Sequence, residues 1–427
     1  MKHLDVIIIG AGISGLSCAA SLIKNPLCNN LKIGIFEKQN RLGGRAHTIK
    51  YNNTNFELGA GRYSPELHPN VHQLTIDFHK EVEEFPFIEL KHKGKHITFV
   101  KNTLERLRRI KPPNTETSFY NFLCLNVGIK KANLIIGVLG YDSLYLPYIS
   151  VSTGYDIIEK HPETQSLVGH DKRQWFNLKE GFSSVINSLK DLIEQRNVSI
   201  YQEHLLHNIV YNPDRSTLSF QTPNNQIIHY NCKYAILAIP PSFLDKIDPQ
   251  FPKAWSQFNY ESIPLFKSVL YYKQPWWKKY KLEDSIYILN NPIRRLYFKS
   301  DKYLFFYNDG KQADYWNKLV STKPDEYIDQ IHYLISKELN INEAIPEPIV
   351  HIEKYWSKGV EFSTNYSDDH PLVLENTQQN IIACSDAYTS HCGWMEGGII
   401  SGKKAASVLL EKINKAHTKQ SNLALAL

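Results

Sequence analysis

Apolar positions along this chain fall into blocks of different period. Val6 to Ile9 is an unbroken apolar run, the pattern of a strand buried on both faces of a parallel sheet. Gly10-Ala11-Gly12-Ile13-Ser14-Gly15 follows, then a helical stretch through Leu16, Ala19, Ala20, Leu22 and Ile23 that Pro26 stops. A second buried strand is predicted over Leu31 to Phe36, ending at Glu37, so residues 1–45 read as β-α-β. Gly181 to Ile193 has helical periodicity. Tyr234 to Ile239 reads as a further buried strand closed by Pro240-Pro241, and Asn380 to Cys384 as the last. A small-residue helix is expected after it, through Ile399, Ser401, Gly402, Ala405, Ala406 and Leu409.

The segments between these pieces differ in kind. Residues 104–170 read as helical and irregular, and 324–339 as helical. Residues 260–308 alternate as strands do, at Lys267 to Tyr272, Ser285 to Leu289, Leu296 to Phe298 and Tyr303 to Tyr307. The fold class predicted is α/β: a discontinuous Rossmann-like domain over 1–65, 175–250 and 370–415, interleaved with an α+β substrate-binding domain over 66–174 and 251–369. The tail, 416–427, is expected to fray.

Composition narrows the function. With 427 residues and 42% hydrophobic content, the chain can build more than one core and is not a disordered polymer. The net charge of +6 is scattered, and the one basic run, Arg106 to Lys111, reads as a solvated helix face, so no nucleic-acid partner is expected. The six cysteines show no CxxC spacing, so neither a zinc site nor a disulfide framework is expected. No run of eighteen apolar residues suggests a transmembrane helix. The short apolar N-terminus leads into glycines, not into a cleavage site, so a reduced, soluble, cytoplasmic protein is the expectation.

The glycines carry the first chemistry. Gly10 permits the tight strand-to-helix turn, Gly12 lets backbone approach a pyrophosphate, and Gly15 lets helix and strand pack closely. The helix beginning at Ile13 and Ser14 then offers unpaired N–H groups to phosphate. Glu37, followed by Lys38, stands where a carboxylate accepts from ribose hydroxyls. Next comes Arg41-Leu42-Gly43-Gly44-Arg45, whose glycines bring backbone near the far half of a dinucleotide and whose Arg45 can fork onto its diphosphate.

With these motifs the chain resembles the flavin-containing amine oxidases, a family that includes monoamine, polyamine and L-amino acid oxidases. The resemblance extends through spaced blocks over nearly the whole chain. Ser184 to Leu189 with Leu205 to Ile209 is similar to the family's helix and adenine-side strand, which makes Leu206 the adenine neighbour. Ala383-Cys384-Ser385-Asp386 through Gly393-Trp394-Met395 to Gly402 resembles the segment that closes over the isoalloxazine. By the same likeness Ser385, Asp386, Gly393 and Met395 become flavin neighbours, and the helix opening near Met395 would stabilise negative charge on reduced flavin.

The resemblance also implies the reacting groups. Leu265 to Trp277 resembles the strand carrying the family's active-site lysine, here Lys267, which reaches the flavin through a water; the competing reading is a surface lysine. Glu57-Leu58-Gly59-Ala60-Gly61-Arg62 would pass the flavin's reactive face. L-amino acid oxidases carry an arginine matching Arg62 that holds the substrate carboxylate, whereas the competing reading pairs Arg62 with flavin phosphate or a structural carboxylate such as Glu57. Trp394 would wall the substrate amine, and Tyr297 would be a second carboxylate donor or else a core tyrosine. Trp356 matches a cofactor-side tryptophan, but no cysteine lies between it and Cys384, so noncovalent FAD is expected. Cys392 is expected to be a packing thiol. These implications converge on an FAD-dependent oxidase of an α-amino acid that consumes oxygen and releases hydrogen peroxide. The alternatives are a primary-amine or polyamine oxidase, or a flavin-binding protein without turnover; a homodimer stays open.

Overall fold

The computed structural model describes residues 2–87, 96–169, 173–212, 214–247, 260–299, 302–364, 370–376 and 380–426. Val6–Ile9 lies inside a six-stranded sheet ordered Val373–Asn376, Ile381–Cys384, Tyr234–Leu237, Val6–Ile9, Ile33–Phe36, Ser199–Tyr201. The pairings are parallel except at Val373–Asn376, which runs antiparallel to its neighbour. Both faces are covered, which is why the inner strands are apolar at every position. Val6 and Ile8 pack on the helices Ile13–Leu22, Ser183–Glu194 and Met395–Ala426. Ile7 and Ile9 point the other way, onto Leu206, Leu218 and Phe220 of a second sheet made of Lys2–His3, Ile227–Cys232, Ser216–Gln221 and Leu205–Val210.

Two helices cross closely under this sheet. A Cβ on Gly402 would stand 2.2 Å from the Ser14 carbonyl oxygen, so only glycine lets Met395–Ala426 pass this near Ile13–Leu22. The first turn of the long helix also holds Glu396, which accepts from the backbone N–H groups of Asn70 (3.1 Å) and Val71 (3.0 Å). Those donors open the helix Pro69–Asp77, so Glu396 satisfies N–H groups that a helix start leaves unpaired.

The alternating segment folds as a five-stranded antiparallel sheet, ordered Ser285–Ile288, Arg295–Phe298, Tyr303–Asp309, Tyr260–Tyr271, Val350–Ser363. Its period of two decides what each residue meets. Phe266 and Leu270 face the helices Gly310–Thr322 and Tyr327–Leu339, with Trp316 and Ile331. Leu265 and Lys267 face a large cavity. The helices Ile97–Leu107, Phe119–Val127, Ile129–Leu139 and Val151–Glu159 form a separate core that closes the cavity's far side.

Three expectations change. The second strand begins at Ile33, not Leu31. Tyr234–Leu237 ends earlier than expected because Ala238 to Pro240 leave the sheet to line the cavity. The tail continues as helix to Ala426 instead of fraying after Lys415. No glycine or proline follows Gly402, and Ala, Leu, Lys and Gln all favour helix. Among the described residues no helix is long and apolar enough to cross a membrane.

Candidate active site

One cavity of about 850 Å³ runs from the glycine turn to the five-stranded sheet. At the first end the backbone does the work. Gly10 has φ +97°, and a Cβ there would lie 2.3 Å from the Ala238 carbonyl oxygen. Gly15, whose Cβ would stand 2.0 Å from the Gly10 oxygen, packs behind the turn and stays off the cavity wall, in keeping with a packing glycine. A Cβ on Gly12 would meet nothing within 4 Å, so this backbone faces open space. Gly12 caps the helix Ile13–Leu22 with no side-chain hydrogen bond, which leaves the first N–H groups of Ile13 and Ser14 turned to the cavity.

The rest of this end surrounds that space. Glu37 is buried, with its oxygens accepting from the N–H groups of Ala11 (3.0 Å) and Gln39 (2.9 Å). Lys38, Gly43, Gly44, Leu206 and Trp356 also line it, and Trp356 is fixed by its indole N–H donating to the Leu58 oxygen at 2.8 Å. An open glycine wall, unsealed helix N–H groups and a buried carboxylate fit the pyrophosphate and ribose of FAD. Arg45 differs from expectation. Its terminal nitrogens donate to the Gly359 oxygen (2.9 Å) and to Asp386, so it offers no free fork to a diphosphate. Asp386 in turn accepts from the Gly393 N–H at 2.8 Å, which ties Arg45 to the turn before Met395. Ser385, through its N–H to Ser401 Oγ (2.9 Å), holds the same corner.

The second end is made of side chains. Gly59, Ala60 and Gly61 pass along it, and the Lys267 ammonium lies 5.0 Å from the centre of the Phe305 ring. A Cβ on Gly61 would stand 3.5 Å from Lys267 Nζ and 3.4 Å from the Glu57 Cβ, so glycine admits both side chains here. Glu57 accepts from the Phe182 N–H at 2.7 Å and from Thr48 Oγ1 at 3.0 Å. Burial pulls Lys267 down to about 8 against the pull of Glu57, and burial pushes Glu57 up to about 7. Trp394 lies on His68, ring centres 4.4 Å apart, and forms a flat wall of the cavity.

Arg62 does not meet the cavity as a free cation. Its Nη2 is 3.2 Å from Glu163 Oε1, an oxygen that also accepts from Tyr141 Oη (2.7 Å) and Tyr297 Oη (3.1 Å). Glu163 is fully buried, and although burial opposes its charge, Arg62 and Arg295, with the Tyr141 hydrogen bond, hold its carboxyl at about 2. The structural-carboxylate reading of Arg62 is thus the one observed, with Glu163 in place of Glu57. Tyr297 is likewise corrected: it is fully buried, stacked on Phe305 at 4.3 Å, absent from the cavity wall, and donates to Glu163 instead of to a ligand. Arg295, sandwiched between the rings of Tyr141 (3.7 Å) and Tyr307 (4.1 Å) and 3.6 Å from Asp309, is fully buried too.

Glu163, Tyr141, His161 and His68 were not foreseen. They lie in segments without periodic signature, and a lone acid or histidine reads the same in sequence whether buried or solvated. Cys384 and Cys392 line the cavity, but burial pushes both thiols up to about 12, so they remain protonated packing groups. Among the described residues no cluster could hold a metal ion.

Comparison with known proteins agrees with this geometry. The family model "Flavin containing amine oxidoreductase" matches residues 140–410, and "NAD(P)-binding Rossmann-like domain" matches residues 8–77. The mouse flavin-containing amine oxidase B is 24% identical over 96% of this chain and 87% of its own length. The horse flavin-containing amine oxidase A is 23% identical over 97% and 86%. A putrescine oxidase structure superposes with a TM-score of 0.71 at 16% identity, covering 96% of this chain and 99% of that one. A cyclohexylamine oxidase from Brevibacterium oxydans gives 0.71 at 18% identity with the same coverage. The chain belongs to the flavin-containing amine oxidoreductases, with FAD as its cofactor.

Proposed function

We propose that this enzyme is an oxidase of a primary amine with an apolar body, not of an α-amino acid. The observation that carries this reading is the Arg62–Glu163 pair. A substrate carboxylate at Arg62 would stand beside a fully buried carboxylate already held there by Arg62 and two tyrosines. Like charges at that distance in a poorly solvated site repel strongly. Arg295 is paired with Asp309 and sealed from the cavity, so it offers no second anchor. What the reacting end offers instead is a set of flat and apolar surfaces, from Trp394, Tyr141, Phe305, Tyr307 and Ile263. The relatives named as amine oxidases, and the structures named for putrescine and cyclohexylamine, favour the same substrate class.

The redox chemistry would be the cofactor's: FAD, when bound, would take two electrons with the Cα hydrogen as a hydride equivalent, leaving a Cα=N imine once the nitrogen loses a proton, and would pass the electrons with two protons to oxygen as hydrogen peroxide. The chain's residues handle orientation, protons and water. Lys267 as free base takes a proton at Nζ, and Glu57 is the neighbouring carboxylate able to receive it. Trp394 and His68 fix the plane in which the substrate lies. The absence of a cysteine between Trp356 and Cys384 favours an FAD held without a covalent bond. The test is a peroxide assay comparing primary amines with the α-amino acids of the same side chains. Turnover confined to the amines supports the reading, and turnover confined to the amino acids overturns it.

A further inference from the structure

His161 stands outside the proton handling described above, yet it lines the reacting end of the cavity. Its Nδ1 is bonded to the Ile157 carbonyl oxygen, which can only accept, so Nδ1 carries the proton and Nε2 presents a lone pair. Nε2 has no partner among the described residues and is not among the sealed, unpaired atoms. The ring is held between Tyr141, at 4.5 Å, and Trp394, at 5.3 Å. Its charged neighbours are Glu163, Arg62 and Arg295, whereas those of Lys267 are Glu57 and Arg62.

We propose that His161 is a specificity-determining residue that accepts a hydrogen bond from a neutral donor on the substrate's body, a hydroxyl group on its ring. This rests on the primary-amine reading and deepens it. A fixed, neutral acceptor between two aromatic faces suits a flat ring bearing an O–H. A second ammonium would instead be desolvated close to Arg62 and Arg295, so a diamine is disfavoured. Nε2 cannot donate, so a group that only accepts gains nothing there. An acceptor with no protein partner discriminates against ligands lacking the donor.

The test compares arylalkylamines whose ring carries hydroxyl, fluorine or hydrogen at the far position, together with an α,ω-diamine. In the wild-type holoenzyme the hydroxylated amine should have a kcat/KM at least about tenfold above the fluorinated one. In His161→Phe that ratio should collapse towards one, and His161→Gln, which keeps an acceptor, should restore part of it. A parallel binding arm uses hydroxyaryl and fluoroaryl compounds without the amine, read by flavin absorbance change and thermal shift of the holoenzyme. The hydroxyaryl ligand should bind about tenfold more tightly to the wild type and equally to His161→Phe. Equal kcat/KM for hydroxyl and fluorine in the wild type, a ratio unchanged in His161→Phe, or preference for the diamine overturns the proposal. If no primary amine reduces the enzyme, the amine reading fails while the binding arm still decides the role of His161.

Discussion

The two ends of the cavity are built from different materials. The dinucleotide end is backbone: Gly10, Gly12, Gly43 and Gly44 shape it, and the open N-terminus of Ile13–Leu22 supplies its donors. The reacting end is a side-chain network, in which Glu163 Oε1 alone is shared by Arg62, Tyr141 and Tyr297 from three distant segments. A backbone site tolerates almost no change at its glycines and is indifferent to charge elsewhere. A network of buried charges behaves in the opposite way: its residues are exchangeable in pairs, and each one removed alone leaves an unpaired partner.

The largest effect expected is at the backbone end. Gly15→Val places its Cβ into the Gly10 carbonyl oxygen, so purified protein should carry no flavin absorbance or should not fold, as measured by the 450 nm band per chain. Retention of full flavin would break the assignment of this turn. Next is Lys267→Met, which should slow anaerobic flavin reduction by roughly 100-fold or more with flavin content intact. In the wild type that rate should rise with pH through about 8, because burial lowers the lysine and the free base exists above its pKa. In the variant this inflection should vanish, and its persistence would assign it elsewhere.

Glu163→Gln tests the network directly. It leaves Arg62 buried without its counter-charge, at a cost of about 3–5 kcal/mol, measurable by denaturant unfolding. It should also raise the rate with an α-amino acid relative to the matching amine, since the guanidinium becomes free; no change in that ratio would remove Glu163 from the account. Glu163 also links stability to acid. Its carboxyl is held at about 2 in the folded protein, against 4.5 as its ordinary value. The stabilisation is therefore complete above about 4.5 and lost as pH falls through 2, and Glu163→Gln should flatten that part of the acid-unfolding curve. The smallest effect is Tyr297→Phe, which removes one of three donors from Glu163 and should cost about 0.5–1.5 kcal/mol in chemical denaturation, with KM for the amine little changed.

The same contrast explains what could be read from the chain. Gly10, Gly12, Gly15 and Glu37 are legible because their chemistry is local: a strand, a turn and a helix follow one another in thirty-odd residues, and each glycine has one steric reason. Lys267 is legible through the alternation of its strand, which separates it from Phe266 and points it to the cavity. Arg62 stands out in sequence by its place in the Gly59–Arg62 stretch, but its partner does not. Its partner lies 101 positions away at the end of an irregular helical segment, where no period marks a buried acid. Tyr297 shows the same limit, since strand alternation fixes its face but not the Glu163 oxygen it meets. His161 is invisible for a further reason: its tautomer depends on the Ile157 carbonyl, a backbone atom that no side-chain pattern reports.

On the function proposed above, the Arg62–Glu163 pair excludes a substrate carboxylate. The most direct measurement is anaerobic stopped-flow reduction of the bound FAD by a primary arylalkylamine and by the α-amino acid that differs from it only by a carboxyl group. The amine should bleach the flavin and the amino acid should do so at least about 100-fold more slowly, corresponding to the few kcal/mol of an unpaired buried charge. Faster bleaching by the amino acid would contradict it.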